Sequence, residues 1–169
     1  MKALILAADG FEDSELFSPY HRLREEGIEV HIASSKKEKI TGKHGYTYEV
    51  DKTFKEVDHQ EYSTLIIIGG KAPEKMRLDP DALRIVQAFD RGNKTIAAIC
   101  HGPQVLISAD VLKGKRATSY KGILDDVKMA GAEVSDEEVV VDGNLITSRH
   151  YNDLSAFNRE IIKKIKENK

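Results

Sequence analysis

The sequence has no tryptophan and a single cysteine, Cys100, so an internal disulfide is excluded. No apolar run approaches the length of a transmembrane helix, and the first residues read as a core strand instead of a signal peptide. The formal net charge is only −2, and Lys and Arg are spread along the chain, which argues against a basic surface for nucleic acid. The lack of a disulfide, of a long apolar run and of a basic cluster predicts a cytoplasmic protein that binds neither membranes nor nucleic acid directly.

The order of the predicted elements indicates one domain over residues 1–169. Short apolar runs predict strands at 2–8, 29–33, 65–68, 95–99 and near 117. Amphipathic segments predict helices at 14–26, 81–91, 103–109, 123–130 and from about 152, and hairpins are predicted at 40–50 and around 142–144. This alternation is typical of an α/β fold. We expect a doubly wound, flavodoxin-like, mostly parallel sheet with helices on both faces and a small antiparallel hairpin.

The segment around Cys100 carries the main functional signal. The predicted strand 95–99 stops at this cysteine, and Gly102 and Pro103 open a helix almost at once. A sharp strand-to-helix turn exposes its side chain, and the free amides of a new helix favour negative charge. The pattern therefore predicts a nucleophilic thiolate at Cys100. The structural alternative is a small buried hydrophobic residue, but such a residue would lie within the strand.

Two neighbouring loops should reach the same edge of the sheet, because the carboxyl ends of parallel strands meet there. Gly69 and Gly70 follow the strand 65–68 and suit a close backbone approach to substrate. We expect the amides of Gly70 and His101 to form an oxyanion hole. The remaining histidines lack the paired spacing of a metal site, so neither a metal nor a cofactor is predicted.

Glu12, in the loop after the first strand, is a candidate partner for the sulfur. Burial and a neighbouring thiolate would both raise the pKa of this carboxyl, and a protonated carboxyl could donate a hydrogen bond to the thiolate. The alternative is an ordinary carboxylate that interacts with the dipole at the start of the first helix.

Several motifs together resemble the ThiJ/PfpI family, in its PfpI-type branch within the class I glutamine-amidotransferase-like superfamily. These are Phe11-Glu12-Asp13, Thr41-Gly42-Lys43-His44-Gly45, Gly69-Gly70, Ala98-Ile99-Cys100-His101-Gly102-Pro103-Gln104, Leu112-Lys113-Gly114-Lys115, Ala130-Gly131-Ala132 and Val140-Val141-Asp142-Gly143-Asn144. The resemblance implies that Cys100 is the nucleophile and His101 its acid–base partner. It also implies that Glu74 of a neighbouring subunit completes the triad, so that a homodimer or homohexamer has its active sites at subunit interfaces.

Two positions relate to the predicted substrate pocket. Tyr120 resembles a tyrosine near the mouth of the site in this branch, although tyrosines also pack at rims in general. The second position departs from the family pattern: relatives commonly carry a small or apolar residue and then proline after the arginine matching Arg149, whereas His150 and Tyr151 follow here. We expect His150 to narrow the pocket or to alter the choice of substrate.

Three functions are compatible with these residues. The leading prediction is a cofactor-independent cysteine hydrolase of the deglycase or glyoxalase type, acting on small aldehydes or on their protein or nucleotide adducts. The second is an intracellular cysteine peptidase for short peptides. The third is a redox-sensing stress protein or chaperone whose thiolate oxidises without turnover.

Overall fold

The computed structural model describes residues 1–168, which form a central sheet with helices on both of its faces. The strands are β1 (Lys2–Leu6), β2 (Glu29–Ser34), β3 (Lys39–Thr41), β4 (Thr47–Glu49), β5 (Lys52–Thr53), β6 (Thr64–Ile67), β7 (Thr95–Ile99), β8 (Arg116–Ala117), β9 (Glu133–Val134), β10 (Val139–Asp142) and β11 (Leu145–Ser148). The α-helices are α1 (Asp13–Glu25), α2 (Ala72–Met76), α3 (Pro80–Arg91), α4 (Pro103–Ser108), α5 (Leu124–Met129) and α6 (Leu154–Glu167).

The main sheet has seven strands in the order β10-β11-β7-β6-β1-β2-β5. All neighbouring strands run parallel except β10, which pairs with β11 in antiparallel register through the hairpin at 142–144. The predicted antiparallel pair in 40–50 is present as β3 and β4. The predicted fold class is therefore confirmed, and β1, β6 and β7 point their carboxyl ends at one edge.

The core follows from where the apolar residues fall in each element. Every residue of β6 and β7 is buried, as a central parallel strand covered on both faces requires. On one face α1 packs against α6, and α3 packs against α4 on the other, while β7 contacts both α3 and α6. Among residues 1–168 we find no helix that combines the length and apolar character needed to span a bilayer.

The sequence reading differs from the structure in short elements and at boundaries. Helix α2 follows Gly70 where a loop was expected, and the strand near 117 pairs with β9 in a separate two-stranded sheet. The last helix begins at Leu154 and not at about residue 152, because Tyr151–Asp153 form a 3₁₀ turn capped by His150. Short elements have weak periodicity, so tertiary contacts determine them.

Gly102 allows α4 to lie directly against the central strands. A Cβ at this position would be 2.6 Å from the carbonyl oxygen of Ile67 and 2.8 Å from that of Ile99. We expect Gly102→Ala to lower the free energy of unfolding by about 1–3 kcal/mol through overpacking, measured by urea denaturation. The control is Gly92→Ala, because a Cβ there would meet nothing nearer than 3.2 Å. Equal losses in the two variants would contradict this account of α4 packing.

Candidate active site

The loops after β1, β6 and β7 enclose a cavity of about 440 Å³ at the carboxyl edge of the sheet. Its lining consists of Glu12, Glu15, Lys43, Gly70, Lys71, Glu74, Cys100, His101, Tyr120, His150 and Tyr151. The residues proposed for the site from the sequence thus lie around one space: Glu12, Gly70, Glu74, Cys100, His101, Tyr120 and His150. Glu15, Lys43, Lys71 and Tyr151 were not proposed as site residues.

Cys100 occupies a strained backbone position directly after β7. Its φ is 62°, in the left-handed region that costs a residue with a side chain about 1–3 kcal/mol. Two hydrogen bonds hold it there: its N–H donates to the carbonyl of Ser148 at 3.0 Å, and its carbonyl accepts from the N–H of Tyr120 at 2.9 Å. The sequence-predicted sharp turn is therefore present. The residue is 9% exposed and lines the cavity from a mostly buried position.

The two glycines after β6 provide space for the sulfur and for a carboxyl. A Cβ on Gly69 would lie 2.5 Å from Oε2 of Glu15 and 2.7 Å from Cβ of Cys100. Gly70 has a φ of 76°, and a Cβ there would meet the backbone of the loop after β1, 2.5 Å from the N of Glu12. Both positions therefore require glycine, the first for close packing and the second for its conformation as well.

Two backbone amides are directed at the sulfur. Hydrogen bonds from the N–H groups of Gly70 and His101 lower the pKa of the Cys100 thiol because they stabilise its anion. These are the two amides expected from the sequence to form an oxyanion hole. Their role toward a substrate oxygen remains a prediction, but their position beside the nucleophile is what that role requires.

The carboxyl beside the sulfur belongs to Glu15, and the prediction that Glu12 fills this place is wrong. Oε2 of Glu15 accepts the N–H of Gly69 at 2.8 Å, and the carboxyl interacts with Cys100. Within residues 1–168, Oε1 of Glu15 is buried and has no hydrogen-bond partner of ordinary geometry. Glu15 lies in the first turn of α1, on the side that faces the core.

Glu12 instead interacts with the outer wall of the cavity. Its carboxylate accepts a hydrogen bond from Ser14 Oγ at 3.1 Å and lies 3.7 Å from Nζ of Lys43 and 3.5 Å from Nε2 of His44. Glu12 is the residue that precedes the first turn of α1. It belongs to the cavity lining but not to the contact predicted for it.

The ionisation of Cys100 is opposite in direction to the sequence prediction. Burial raises the pKa of the thiol to about 12, and the charge of Glu15 contributes to this rise against the two amides. Burial also raises the pKa of Glu15, to about 7. Since each negative charge disfavours the other, a thiolate forms here together with a protonated Glu15. The prediction of a readily ionised sulfur was wrong because it took account of the helix terminus, which lowers a thiol pKa, and not of burial, which raises it.

His101 lies against the sulfur and is held by an aromatic ring. Its Nδ1 is 3.3 Å from Sγ of Cys100, and its ring stacks on Tyr120 with centroids 4.6 Å apart and an interplanar angle of 27°. Burial lowers the pKa of His101, although the nearby Glu74 carboxylate opposes this effect. The imidazole is therefore neutral at neutral pH and able to accept a proton.

Glu74 lines the cavity of its own chain from α2, and its charge acts on His101 of the same chain. Its side chain is exposed. The contribution of Glu74 from a neighbouring subunit, implied by the resemblance, remains a prediction.

The hairpin of β3 and β4 forms the wall that the sequence reading overlooked. Asp13 holds it, because its carboxylate accepts the N–H groups of His44 at 2.9 Å and Tyr46 at 3.0 Å. This places Lys43 in the cavity. Asp13 also groups with Glu12 and His44, with potential ligand atoms within 4.8 Å of one another, but both Asp13 oxygens already accept these amides. The hairpin was predicted from the sequence, but its position at the cavity was not, because that position depends on the contacts with Asp13.

The sequence profile of the DJ-1/PfpI family matches residues 1–164. The chain belongs to this family. Deglycase TK1284 of Thermococcus kodakarensis is 57% identical over 163 residues, which cover 96% of this chain and 98% of that protein. Deglycase PfpI of Pyrococcus furiosus is 55% identical over 166 residues, which cover 98% of this chain and 100% of that protein. The resemblance drawn from the motifs is thus confirmed.

Solved structures agree with this assignment. A two-domain protein of Anabaena variabilis, with DJ-1/ThiJ/PfpI-like and ferritin-like domains, is 43% identical with a TM-score of 0.96. The match covers 97% of this chain, which spans about half of that longer protein (48%). Schizosaccharomyces pombe DJ-1 is 21% identical with a TM-score of 0.90, over 98% of this chain and 92% of that one, and shares the fold.

The Glu15 contact predicts how the reactivity of the sulfur depends on pH. Glu15→Gln removes a charge that raises the Cys100 pKa and keeps an amide that can donate to the sulfur. We expect the thiol pKa to fall by about one unit or more, one unit being about 1.4 kcal/mol. The measurement is the pH dependence of iodoacetamide alkylation. Glu12→Gln is the matched control and should shift the profile much less; a larger shift in that variant would restore the original assignment to Glu12.

Proposed function

We propose that this chain is a cofactor-independent cysteine hydrolase of the deglycase type, acting on small carbonyl compounds or on their protein or nucleotide adducts. One observation carries the proposal. The sulfur of Cys100 sits at a strained turn with the amides of Gly70 and His101 directed at it and the Glu15 carboxyl beside it. This arrangement supplies a nucleophile, a proton acceptor and two donors for developing negative charge within one cavity.

The first chemical step follows from these contacts. As sulfur attacks the carbonyl carbon, the thiol proton passes to the Glu15 carboxylate, whose pKa of about 7 suits a proton acceptor. A carbon–sulfur bond forms, and the π electron pair of the carbonyl moves to its oxygen. That oxyanion would be stabilised by the amides of Gly70 and His101. The neutral His101, 3.3 Å from the sulfur, is a second proton acceptor beside the adduct.

The size of the cavity favours a small reacting group. A space of about 440 Å³ lies within the usual range of small-molecule pockets, about 300–1,000 Å³. Tyr120 and Tyr151 are both partly exposed at this cavity, 40% and 54%, so they form part of its border with solvent. A carbonyl compound or the modified end of a side chain fits such a space more easily than an extended peptide. The names of the two relatives given above, both deglycases, support the same reading.

We further propose that the enzyme is a homodimer or homohexamer in which Glu74 of one subunit reaches His101 of its neighbour. The exposure of Glu74 at the cavity supports this, because an exposed carboxylate on α2 is accessible to a second chain. A carboxylate in contact with the imidazole would stabilise the imidazolium that forms when His101 accepts a proton.

Two assays test the activity. One follows the consumption of free methylglyoxal, and the other follows the removal of the methylglyoxal adduct from a glycated peptide. The wild-type protein should perform both reactions, and Cys100→Ser should reduce each at least about 1,000-fold, the scale on which loss of a nucleophile acts. Circular dichroism of the variant controls for folding. The proposal would be overturned by two results: equal rates in both proteins, or cleavage of unmodified short peptides as the only turnover, which would favour the peptidase.

Mixing two inactive variants tests the shared triad. Cys100→Ser retains Glu74, and Glu74→Gln retains Cys100, so a mixed oligomer contains some complete sites only if the triad crosses the interface. After unfolding and joint refolding at equal amounts, about a quarter of the sites should be complete, with a matching return of activity. Separately refolded variants, mixed afterwards, are the control. Joint refolding without any recovery would place Glu74 in the site of its own chain.

A further inference from the structure

His150 occupies a fixed position at the edge of the catalytic cavity. Its carbonyl accepts the N–H of Asp153 at 2.9 Å, and its Nδ1 accepts the N–H of Asn152 at 3.3 Å. The guanidinium of the preceding Arg149 donates two hydrogen bonds to the Asp153 carboxylate, at 2.9 and 3.1 Å, and one to Asp136 at 3.0 Å. Backbone and ring are therefore held by separate contacts, so the imidazole is positioned before any substrate enters.

The bond to Asn152 also determines the tautomer. A backbone N–H is only a donor, so Nδ1 of His150 must be the unprotonated acceptor. The neutral ring then carries its proton on Nε2. His150 lines the same cavity as Cys100 and His101 and is half-buried there. Its Nε2–H is therefore a donor on a ring held by the hydrogen bond from Asn152, in a residue that lines the catalytic cavity.

The other donors in the cavity are either engaged, as the amides of Gly70 and His101 and the ammonium of Lys43 are, or belong to the exposed residues Lys71, Tyr120 and Tyr151. The amides of Gly70 and His101 interact with the sulfur, where the first oxyanion would develop. The ammonium of Lys43 lies 3.7 Å from the Glu12 carboxylate. Unlike the exposed donors, His150 is half-buried, and its ring is fixed by the hydrogen bond from Asn152.

We propose that Nε2–H of His150 donates a hydrogen bond to a substrate oxygen on the carbon next to the one that Cys100 attacks. His150 is then a specificity-determining residue that favours carbonyl compounds with an oxygen on the adjacent carbon over simple aldehydes. This inference rests on the proposed function for its substrate, and on the geometry of residues 149–153 for its donor.

The kinetic test compares two substitutions at this position. His150→Phe keeps the bulk of the ring and removes the donor, whereas His150→Gln keeps an N–H at a similar distance from the backbone. We expect His150→Phe to lose about 3- to 10-fold in kcat/KM for methylglyoxal, mostly through KM, as one neutral hydrogen bond predicts. His150→Gln should recover most of this loss. His21→Phe, exposed on α1 and outside this cavity, is the control for a histidine-to-phenylalanine change.

A second measurement needs no turnover. Iodoacetamide carries a carbonyl oxygen next to the carbon that sulfur attacks, and iodomethane carries none. His150→Phe should slow alkylation of Cys100 by iodoacetamide about 3- to 10-fold and leave alkylation by iodomethane unchanged. The inference is overturned if both reagents respond equally, or if His150→Gln is as slow as His150→Phe. Wild-type protein that fails to consume methylglyoxal but shows the expected alkylation ratios would contradict the proposed function and support the role of His150.

Discussion

The site depends on one interaction, the contact between the buried carboxyl of Glu15 and the buried sulfur of Cys100. Each group in isolation would be driven toward its neutral form by burial, and together they disfavour two negative charges. Hydrogen bonds from the amides of Gly69, Gly70 and His101 determine whether the single negative charge lies on the Glu15 carboxyl or on the Cys100 sulfur. Nucleophile and proton acceptor thus act as a unit, and neither side chain has a function that can be described without the other.

The parts of the fold that the sequence predicted are those with strong local periodicity. Strand β7 was predicted with its observed bounds, because a short, mostly apolar run between Lys94 and the turn at Cys100 leaves little freedom. The turn at Cys100 was predicted for the same reason, since Gly102 and Pro103 mark the helix that follows. In contrast, the hairpin of β3 and β4 was predicted as an element, but its position beside the cavity depends on contacts such as that between Asp13 and His44, residues 31 positions apart. Such long-range contacts have no signature in a single sequence.

The choice of Glu12 over Glu15 was an error that the sequence could have prevented. Leu16, Pro19 and Leu23 are buried on one face of α1, and Glu15 lies on that face, four residues before Pro19. An acidic residue within an apolar helical stripe indicates a buried carboxyl with a partner. The ionisation of Cys100 is a different case. Its direction depends on how completely the surrounding loops cover the sulfur, which is a property of the assembled fold.

The backbone hydrogen bonds of Cys100, one to Ser148 of β11 and one from Tyr120, define the turn independently of the Cys100 side chain. Because main-chain groups hold this left-handed conformation, the backbone at position 100 does not depend on which side chain it carries. A different reactive group placed on it would inherit the same two amides and the same neighbouring imidazole. A new activity in this fold therefore requires changes in the residues that line the cavity, whereas the central strands and the turn at position 100 can stay unchanged.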